Sequence, residues 1–402
     1  MTRKEMDSGL LRELRNVVRH VNGFGATQTF DYMSLAFPKE EFKTIRRVIL
    51  TGCGDSYCAA VAAKPVFENT ESFKGTGMLP GTPTEALRNI EFTRYYNTYL
   101  GWDPLQVDRY LVGAVSVSGN PVRPREALQR INELGGHSVA FTNNATGLFA
   151  QTAQHTIDFQ MAPSEGGVPN VRSYQASLWS LMTFGLYMSA CKGQMTWEEA
   201  DRQRLAALKY VNSFSASVLD EIEEHAFEIS SKWEADGIEQ MEFIGDGADY
   251  ATAFFGSAKM VESFGGLTTY DDSEDWCHIN YFNRKPEKVG TFIIANTTSP
   301  AFSRELETIA VSAEMGRPTV VISDGDKSLF PDNCEVFTLP KPEYTWANPL
   351  MEHLPMDYVA AFTGLLRGET PYRHYPDKVS KQMSKADPVA RRFTKSELVI
   401  VK

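Results

Sequence analysis

The chain has 402 residues, which is long for one hydrophobic core and predicts two domains. Hydrophobic residues make up 42% of the chain and charged residues 23%, as in ordinary globular proteins. The formal net charge of -11 disfavours a nucleic-acid partner, because the phosphate backbone would be repelled. A small anionic ligand is not excluded, since it responds to local charge and to nearby N–H groups.

The cysteines and the apolar segments predict a reduced protein that does not span a membrane. There are five cysteines and no CxxC pair, which favours a cytoplasmic protein over a disulfide scaffold or a zinc module. The first residues contain no apolar core of the signal-peptide type. Residues 176–191 are the longest apolar helix candidate. They are short for a bilayer span and carry serines, so we expect a buried core helix.

The first part of the chain predicts helices and then alternating strands and helices. An apolar stripe at helical spacing predicts a helix over residues 10–21. A further helix, over residues 55–69, is expected to be interrupted at Pro65. The alternating elements are a strand at 46–52, this helix, a strand at 109–119, a helix at 124–136, and strands at 137–143 and 154–160.

A long helical region is predicted from about residue 171 to 234, and the alternation then restarts. FIGDGADYA echoes LTGCGDSYC, and NTTSPAFSRE echoes SVSGNPVRPRE, in the same order along the chain. An internal duplication is the simpler account, and two unrelated doubly wound domains are the alternative. A helix over 354–368 and a short strand or extended tail over 396–402 end the chain.

These patterns predict an α/β protein with two doubly wound, flavodoxin-like parallel-sheet domains in tandem. Extra helices are expected at the N-terminus and between the domains. The predicted boundaries are N-terminal helices at 1–45, a first domain at 46–195, a helical connector at 196–235, a second domain at 236–370 and a tail at 371–402.

Two loops of the first domain have the composition of anion-binding turns. In an open parallel sheet, ligands bind beyond the carboxyl ends of the strands, where helix N-termini present free N–H groups. Pro121 is well placed to open the helix after the second loop. The candidate residues are Gly52, Cys53, Gly54, Asp55 and Ser56 in the first loop, and Ser116, Val117, Ser118, Gly119 and Asn120 in the second.

Each loop could instead be a plain structural turn, since glycine and serine turns are common after strands. Neither loop matches a P-loop, which requires GxxxxGK[ST]. Tyr57 stands where the dinucleotide fingerprint has its third glycine, so nucleotide binding is disfavoured. The sequence shows no cluster of metal ligands, and we expect neither a metal nor an organic cofactor.

TGCGDSY before an alanine-rich helix, followed further along by SVSGN, resembles the sugar isomerase (SIS) domains of phosphosugar-binding proteins. The resemblance runs from about Arg46 to the C-terminus. It includes the isomerase half of glucosamine-6-phosphate synthases, the fructosamine-6-phosphate deglycases and the amino-sugar deaminase/isomerases. It implies that Ser116, Ser118 and the N–H groups around Gly119 hold the phosphate of a phosphosugar substrate, with Ser56 near the sugar.

The same resemblance extends to the segments on either side of the predicted connector. Residues 162–178 resemble the family's glutamate–glycine loop, which implies contacts of Glu165, Val168 and Asn170 with the sugar. The tail resembles the family's C-terminal lysine–serine segment that closes over the sugar, and Lys395 matches its lysine.

GSAKMVES matches the family's lysine–x–x–glutamate helix and supplies Lys259 and Glu262. His278 follows Glu262 at the spacing of the family's ring-opening histidine. That histidine comes from a neighbouring subunit, which implies a homodimer with shared active sites. From the residues alone, Lys259 and Glu262 could be a surface ion pair, and His278 could be a packed structural histidine.

Aldose–ketose interconversion needs a base near C1 and C2, an acid or cation near the oxygen and a group that opens the ring. The resemblance implies Glu262 as the base and His278 as the shuttle of the ring proton. Lys259 would orient the glutamate or form a Schiff base.

The sequence departs from the synthases in both loops. Val117 replaces a glutamine and Pro121 a threonine, so two phosphate donors are lost. Arg123 and Arg125 could compensate with charge-assisted contacts or could face solvent. Asp55 replaces a threonine, and its charge suits an ammonium group or a sugar hydroxyl, although it could simply cap its helix.

We therefore expect an isomerase-type enzyme that acts on an amino-sugar phosphate or an amine-conjugated sugar phosphate, as a deaminase/isomerase or a deglycase. The cysteine nucleophile of the synthases' glutaminase half is not found, so a glutamine-independent reaction is expected. The alternatives are a non-catalytic phosphosugar sensor and a plain aldose–ketose phosphosugar isomerase. Lys259, Glu262 and His278 favour an enzyme, because a sensor does not need a base.

Overall fold

The structure is a computed structural model that describes residues 2–69, 80–96, 104–162, 168–369, 371 and 397–401. These residues form two five-stranded sheets in which every pairing of neighbouring strands is parallel. Helices alternate with the strands along the chain. The predicted α/β class with two doubly wound parallel sheets is therefore confirmed.

The α-helices are α1 Gly9–Arg15, α2 Val17–Thr27, α3 Phe30–Ala36, α4 Asp55–Glu68, α5 Val122–Glu133, α6 Leu148–Thr152, α7 Val171–Cys191, α8 Trp197–Ser213, α9 Ala216–Asp236, α10 Asp249–Phe264, α11 Ser273–His278, α12 Phe302–Glu314 and α13 Leu354–Leu366. The strands are β1 Arg47–Gly52, β2 Thr84–Arg88, β3 Tyr110–Val115, β4 His137–Thr142, β5 His155–Asp158, β6 Gln240–Ile244, β7 Leu267–Asp271, β8 Val289–Ile294, β9 Thr319–Ser323 and β10 Glu335–Thr338.

The two sheets repeat one topology. The strand order is β2-β1-β3-β4-β5 in the first sheet and β7-β6-β8-β9-β10 in the second. In each sheet the order reverses beside the first strand, between β1 and β3 and between β6 and β8. Ligands of doubly wound folds bind at such a switch point, beyond the carboxyl ends of the two strands. The repeated order is what an internal duplication predicts.

The central strands are apolar because helices cover both of their faces. Every residue of β3 and of β8 is buried. In the first sheet Ile49 and Val112 pack with Ile131 of α5, and in the second Ile244 and Ile293 pack with neighbouring helices. This packing fixes the carboxyl ends of β1, β3, β6 and β8, from which the candidate site loops begin.

The structure differs from the sequence-based expectation at Pro65. Helix α4 continues through this proline to Glu68, so the predicted interruption is wrong. Pro65 lies in the last turn of the helix, where a missing N–H removes only one hydrogen bond. Buried alanines and Phe67 on the same helix keep the last turn packed. Strands β2, β7 and β10 were not expected from the sequence.

The described chain separates into two compact units. One contains the first sheet and comprises His20–Pro163, Ser173–Leu205 and Tyr375–Lys402. The other contains the second sheet and comprises Met1–Arg19, Ser164–Arg172 and Ala206–His374. Among the described helices, none combines the length and the apolar character that crossing a bilayer requires.

Candidate active-site residues

The loop after β3 has the geometry of an anion-binding turn. The Gly119 N–H donates to the Ser116 carbonyl at 3.1 Å and closes the turn. Gly119 has a φ of 66°, which an L-residue adopts only with strain. Ser118 and Asn120 are exposed, whereas Ser116 is buried and Val117 half-buried. In the described part of the chain no side chain caps α5 after Pro121, so its first N–H groups can serve an anion.

The loop after β1 is a tight turn into α4. Gly52 allows the close approach, because a Cβ there would lie 2.6 Å from the backbone carbon of Ser56. Cys53 and Gly54 are exposed, and Ser56 is buried. Asp55 is the first residue of α4 and half-buried. Since β1 and β3 are neighbours in the sheet, this turn and the loop after β3 lie at the same edge.

Asn89 supports the β1 loop from the end of β2. Its Nδ2 lies 2.9 Å from the Cys53 Sγ, and its Oδ1 accepts from the Thr51 hydroxyl at 3.1 Å. Although Cys53 is exposed as a residue, the protein atoms around its sulfur desolvate the thiol and raise its pKa, while the Asn89 hydrogen bond and the charge of Arg123 act in the opposite direction. Arg123, on the first turn of α5, is therefore close enough to Cys53 for its charge to act there.

Arg123 is held by a carboxylate of its own helix. Its guanidinium group forms an ion pair with Glu126, whose side chain is fully buried, and donates to the Glu397 carbonyl. Arg94 forms a second ion pair with Glu126 at 2.7 Å. Arg123 is therefore not a residue that only faces solvent, which was the second of the two alternatives for it. Arg125, two residues further along α5, is half-buried.

The C-terminal residues 397–401 run along α5 as an extended segment outside any strand. The Val399 N–H donates to Glu126 Oε1 at 2.9 Å, and Arg130 Nε donates to the Val401 carbonyl at 2.8 Å. Lys395, the proposed tail lysine, lies outside the described residues. Glu126 therefore connects Arg123 of the phosphate-loop helix to the segment that follows Lys395.

Lys259 and Glu262 do not form the surface ion pair that their spacing alone would indicate. The Lys259 side chain is 0% exposed and that of Glu262 is 27% exposed, and Lys259 Nζ lies 2.5 Å from Glu262 Oε2. The ammonium group also lies 4.7 Å from the centre of the Phe255 ring. Taking an ammonium group out of water costs several kcal/mol, and the contacts with Glu262 and Phe255 compensate for this cost.

His278 is the last residue of α11, and its side chain is 69% exposed. Its Nε2 lies 2.9 Å from Glu274 Oε1, one turn earlier on the same helix. The alternative of a packed structural histidine is therefore wrong. The exposed ring is oriented by a carboxylate of its own helix.

Residues 168–170 lead into α7. Val168 is buried, and Asn170 donates through Nδ2 to the Val168 carbonyl at 2.9 Å. Glu165, the third residue assigned to this loop, lies outside the described residues. The first two N–H groups of α7 donate to a buried carboxylate of α1, that of Glu13, at 2.9 Å from Val171 and 3.1 Å from Arg172.

The switch point of the second sheet keeps a serine, Ser299, in its loop and adds buried acids around it. Asn296, just after β8, donates to Asp249 Oδ2 at 2.9 Å and to Glu352 Oε2 at 3.1 Å. Burial raises the pKa of Asp249 to about 7, and that of Glu352 well above its ordinary value. Burial likewise raises the pKa of Glu305 to about 8. The two switch points therefore differ in their side chains although their topology is the same.

A different group of acids comes closest to the geometry of a metal site. Carboxylate oxygens of Asp271, Asp272 and Asp275 lie within 4.8 Å of one another, the one such group in the described residues. Asp272, however, accepts from the Glu274 and Asp275 N–H groups and caps α11. Its carboxylate is thus committed to the helix.

Sequence reasoning missed Glu13, Asn89 and Glu126. A signal was present for two of them, because Glu13 lies within the buried stripe of α1 and Glu126 within the buried face of α5. A charged residue on an apolar face indicates a paired group. Asn89 gave no such signal, since its role depends on β2, which the sequence did not predict.

No model of a known protein family matches the chain. Among curated proteins, the isomerizing glutamine–fructose-6-phosphate aminotransferase of Clostridium tetani is 23% identical over 339 residues, which are 83% of this chain and 51% of that protein. The chain spans about half the length, or less, of the curated relatives it matches.

Solved structures share the fold. The C-terminal domain of glucosamine-fructose-6-phosphate aminotransferase from Francisella tularensis matches with a TM-score of 0.75 and 17% identity, over 92% of this chain and 100% of that domain. Glucosamine-6-phosphate deaminase from Thermotoga maritima matches with a TM-score of 0.64 and 15% identity, over 92% and 98%. The sequence match and these folds confirm the resemblance that the motifs indicated: the chain has the fold of two sugar isomerase (SIS) domains in tandem and is similar to the isomerase half of glutamine–fructose-6-phosphate aminotransferase.

Proposed function

We propose that the protein is an isomerase-type enzyme acting on a sugar phosphate that carries an amine. The observation that carries this proposal is the Lys259–Glu262 pair, in which a wholly buried ammonium group holds a partly exposed carboxylate at 2.5 Å. A binding protein gains nothing from this pair, whereas a reaction that moves a proton between carbons needs a positioned carboxylate.

In the proposed reaction the Glu262 carboxylate removes a proton from the carbon beside the carbonyl group. The electron pair forms the carbon–carbon double bond of an enediol or enolamine as the carbonyl oxygen gains a proton. The carboxyl group then returns its proton to the former carbonyl carbon, while the hydroxyl or amino group on the other carbon loses one and becomes a carbonyl group or an imine. Water adds to the imine carbon, and the C–N bond breaks with release of ammonia or the amine. Lys259 orients the carboxylate through their ion pair. His278 moves the proton that opens the sugar ring, supported by Glu274.

We assign substrate binding to the switch point of the first sheet. The loop of residues 116–120 and the N-terminus of α5 bind the phosphate through N–H groups and the Ser118 hydroxyl. Arg123 adds positive charge at this edge while remaining paired with Glu126. Asp55, half-buried at the start of α4, provides a carboxylate for the substrate amine, which favours a deaminase/isomerase or a deglycase.

We further propose a homodimer in which His278 serves the partner's site. The exposure of its side chain supports this assignment, because a second chain can reach the ring, while Glu274, which also pairs with Arg304, holds it in place. The five cysteines are all free, which supports a reducing compartment, and we place the protein in the cytoplasm.

The test is calorimetric binding and turnover with fructose-6-phosphate, glucosamine-6-phosphate, a fructosamine-6-phosphate conjugate and free glucosamine, with and without glutamine. We expect binding of phosphorylated sugars and release of ammonia or amine without glutamine. Glu262→Gln should bind as the wild type does and turn over at least about 100-fold more slowly. Binding without turnover of any compound would identify a sensor, and no binding of any phosphosugar would refute the proposal.

A further inference from the structure

Glu13 is a buried carboxylate on the short N-terminal helix α1. The helix buries Leu10, Leu11 and Leu14 together with Glu13, and only 9% of Glu13 is exposed. Burying a carboxylate is costly unless hydrogen bonds or charges compensate for the lost water. The groups that contact Glu13 therefore show which parts of the structure its carboxylate stabilises.

The first contact is with the backbone that follows the predicted sugar-contacting segment. Glu13 Oε2 accepts from the N–H groups of Val171 and Arg172 at 2.9 and 3.1 Å. These are the first two residues of α7, a helix of 21 residues, whose positive end favours a carboxylate. Glu13 thus fixes the chain directly after Val168 and Asn170, although 158 positions separate it from Val171.

The second contact is electrostatic. Burial raises the pKa of Glu13, while its two N–H partners and the charges of Arg172 and Lys259 lower it. Lys259 is therefore near enough to interact with two carboxylates, Glu262 by direct contact and Glu13 through its charge. When Glu262 takes a proton from the substrate, its charge is neutralised, whereas the charge of Glu13 still acts on the buried ammonium group.

We propose that Glu13 is a positioning residue of the reaction, which fixes the chain at residues 168–172 and keeps Lys259 protonated while Glu262 carries the substrate proton. This inference rests on the proposed function. Glu13 acts through Lys259 and through the α7 N-terminus, and touches no reacting atom itself.

Three variants separate the charge of Glu13 from its hydrogen bonds. Glu13→Gln keeps an oxygen that can accept from the α7 N–H groups but removes the charge. Glu13→Asp keeps the charge on a shorter side chain. Glu223→Gln is the matched control, because Glu223 is a buried carboxylate of the same unit that pairs with Arg15 at 2.6 Å.

The first measurement does not depend on turnover. It follows the 13Cε resonance of Lys259 against pH in 13C-lysine-labelled protein, assigned with Lys259→Arg. In Glu13→Gln we expect Lys259 to lose its proton about one pH unit lower than in the wild type, a tenfold change in its proton affinity. Glu13→Asp and Glu223→Gln should titrate as the wild type does. An unchanged titration in folded Glu13→Gln overturns the inference.

The second measurement is the steady-state rate with the substrate that the binding panel identifies. We expect Glu13→Gln to lower kcat at least about tenfold with KM within about threefold, and Glu13→Asp to recover part of kcat. If the wild type turns over no sugar phosphate, the proposed function fails, and the Lys259 titration still decides on Glu13.

A reciprocal variant covers the case in which Glu13→Gln does not fold. Coupling between two charges is mutual, so Lys259→Met should raise the pH at which the Glu13 13Cδ resonance titrates. That resonance is assigned with Glu13→Asp. No change in the Glu13 titration of Lys259→Met would overturn the inference on its own.

Discussion

The ammonium group of Lys259 lies 2.5 Å from the carboxylate of Glu262, one turn later on α10, and only the lysine is wholly buried. If this pair serves the reaction, its loss should affect rate far more than stability. Removing one partner of a buried ion pair costs about 3–5 kcal/mol when the charge left behind is itself buried. The Glu262 carboxylate is 27% exposed, so water can solvate it when Lys259 is replaced. We therefore expect Lys259→Met to lower the unfolding free energy by about 2 kcal/mol or less and to lower kcat at least about 100-fold.

Chemical denaturation and steady-state kinetics on the same preparation test this expectation. Lys288→Met is the control, since Lys288 donates to the Asp236 carbonyl at an exposed position of the same unit. A strongly destabilised Lys259→Met with normal kcat would mean that the pair is structural.

We expect a substitution in the loop after β3 to weaken the binding of phosphorylated sugars specifically. Ser118 is exposed, and its hydroxyl oxygen accepts from the Asn120 N–H at 3.3 Å, which leaves its proton for a ligand. Because a hydrogen bond to a charged group contributes about 1.5 kcal/mol or more, Ser118→Ala should weaken phosphosugar binding roughly tenfold.

Titration calorimetry with a phosphorylated and an unphosphorylated sugar separates this contact from general damage to the loop. Ser299 of the second domain is the matched control, as its hydroxyl is bound to Glu305 at 2.8 Å. Ser299→Ala should leave the affinity unchanged. An equal loss in both variants, or none in Ser118→Ala, would argue against the assigned loop.

We expect a substitution of Glu126 to cause a large loss of stability in the unit that contains the first sheet. Its buried carboxylate pairs with Arg94 and Arg123 and accepts from the Val399 N–H. Removing one partner of a buried pair leaves charge uncompensated and costs about 3–5 kcal/mol. We expect Glu126→Gln to approach this cost in chemical denaturation, whereas Glu133→Gln, at an exposed position of the same helix, should cost little. Similar midpoints for the two variants would contradict this expectation.

We expect the burial of Asp249 to make the folded protein less stable as the pH rises. Its pKa is about 7 in the folded protein, against an ordinary value of 3.8, because burial disfavours the charged form. Between these pH values the folded protein binds more protons than the unfolded chain, so this contribution is full below about pH 4 and is lost as the pH rises to about 7. Asp249→Asn mimics the protonated acid and should exceed the wild type at pH 8 by about 1–2 kcal/mol.

Urea unfolding at pH 5.5 and pH 8 checks the sign. The variant and the wild type should be closer in stability at pH 5.5 than at pH 8. Asp332→Asn, at an exposed position, should leave the difference between the two pH values unchanged. A variant that is weaker than the wild type at pH 8 would show that the Asp249 charge stabilises the fold.

If His278 acts in the partner's site, two variant chains that are each inactive should complement one another in a mixed dimer. If its ring serves the partner's site, a dimer of one His278→Ala chain and one Glu262→Gln chain has one intact site. With random pairing, mixing the two after dissociation should restore about a quarter of the wild-type sites. Each variant mixed with itself is the control. No recovery in verified mixed dimers would place His278 in the site of its own chain.

The sequence predicted the fold where local patterns match the buried structure. The runs that became β1, β3, β4, β6, β8 and β9 are apolar because both faces are covered, and the duplicated loops marked both switch points. Strand β7 has no fully buried residue, and β10 has four residues, so neither carries a clear pattern. The course of α4 through Pro65 depends on packing that the local sequence does not encode.

The candidate site was predictable for residues within motifs and not for those that support them. Lys259, Glu262 and the serines of the β3 loop belong to short patterns. The burial of Lys259 does not, since it depends on side chains contributed by other elements. Glu13 is placed by N–H groups 158 and 159 positions away, and Val399 reaches Glu126 over 273 positions. No short stretch of the sequence contains both partners of such a contact.

The acids at the second switch point bear on stoichiometry. Asp249, Glu305 and Glu352 are buried around the loop after β8 and hold the side chains of Asn296 and Ser299, which are then not available to a ligand. A saturating titration with a sugar phosphate should therefore reach one ligand per chain, although the chain contains two copies of a fold that can bind one. Such a result would mean that the second sheet serves as a structural scaffold and not as a second binding site.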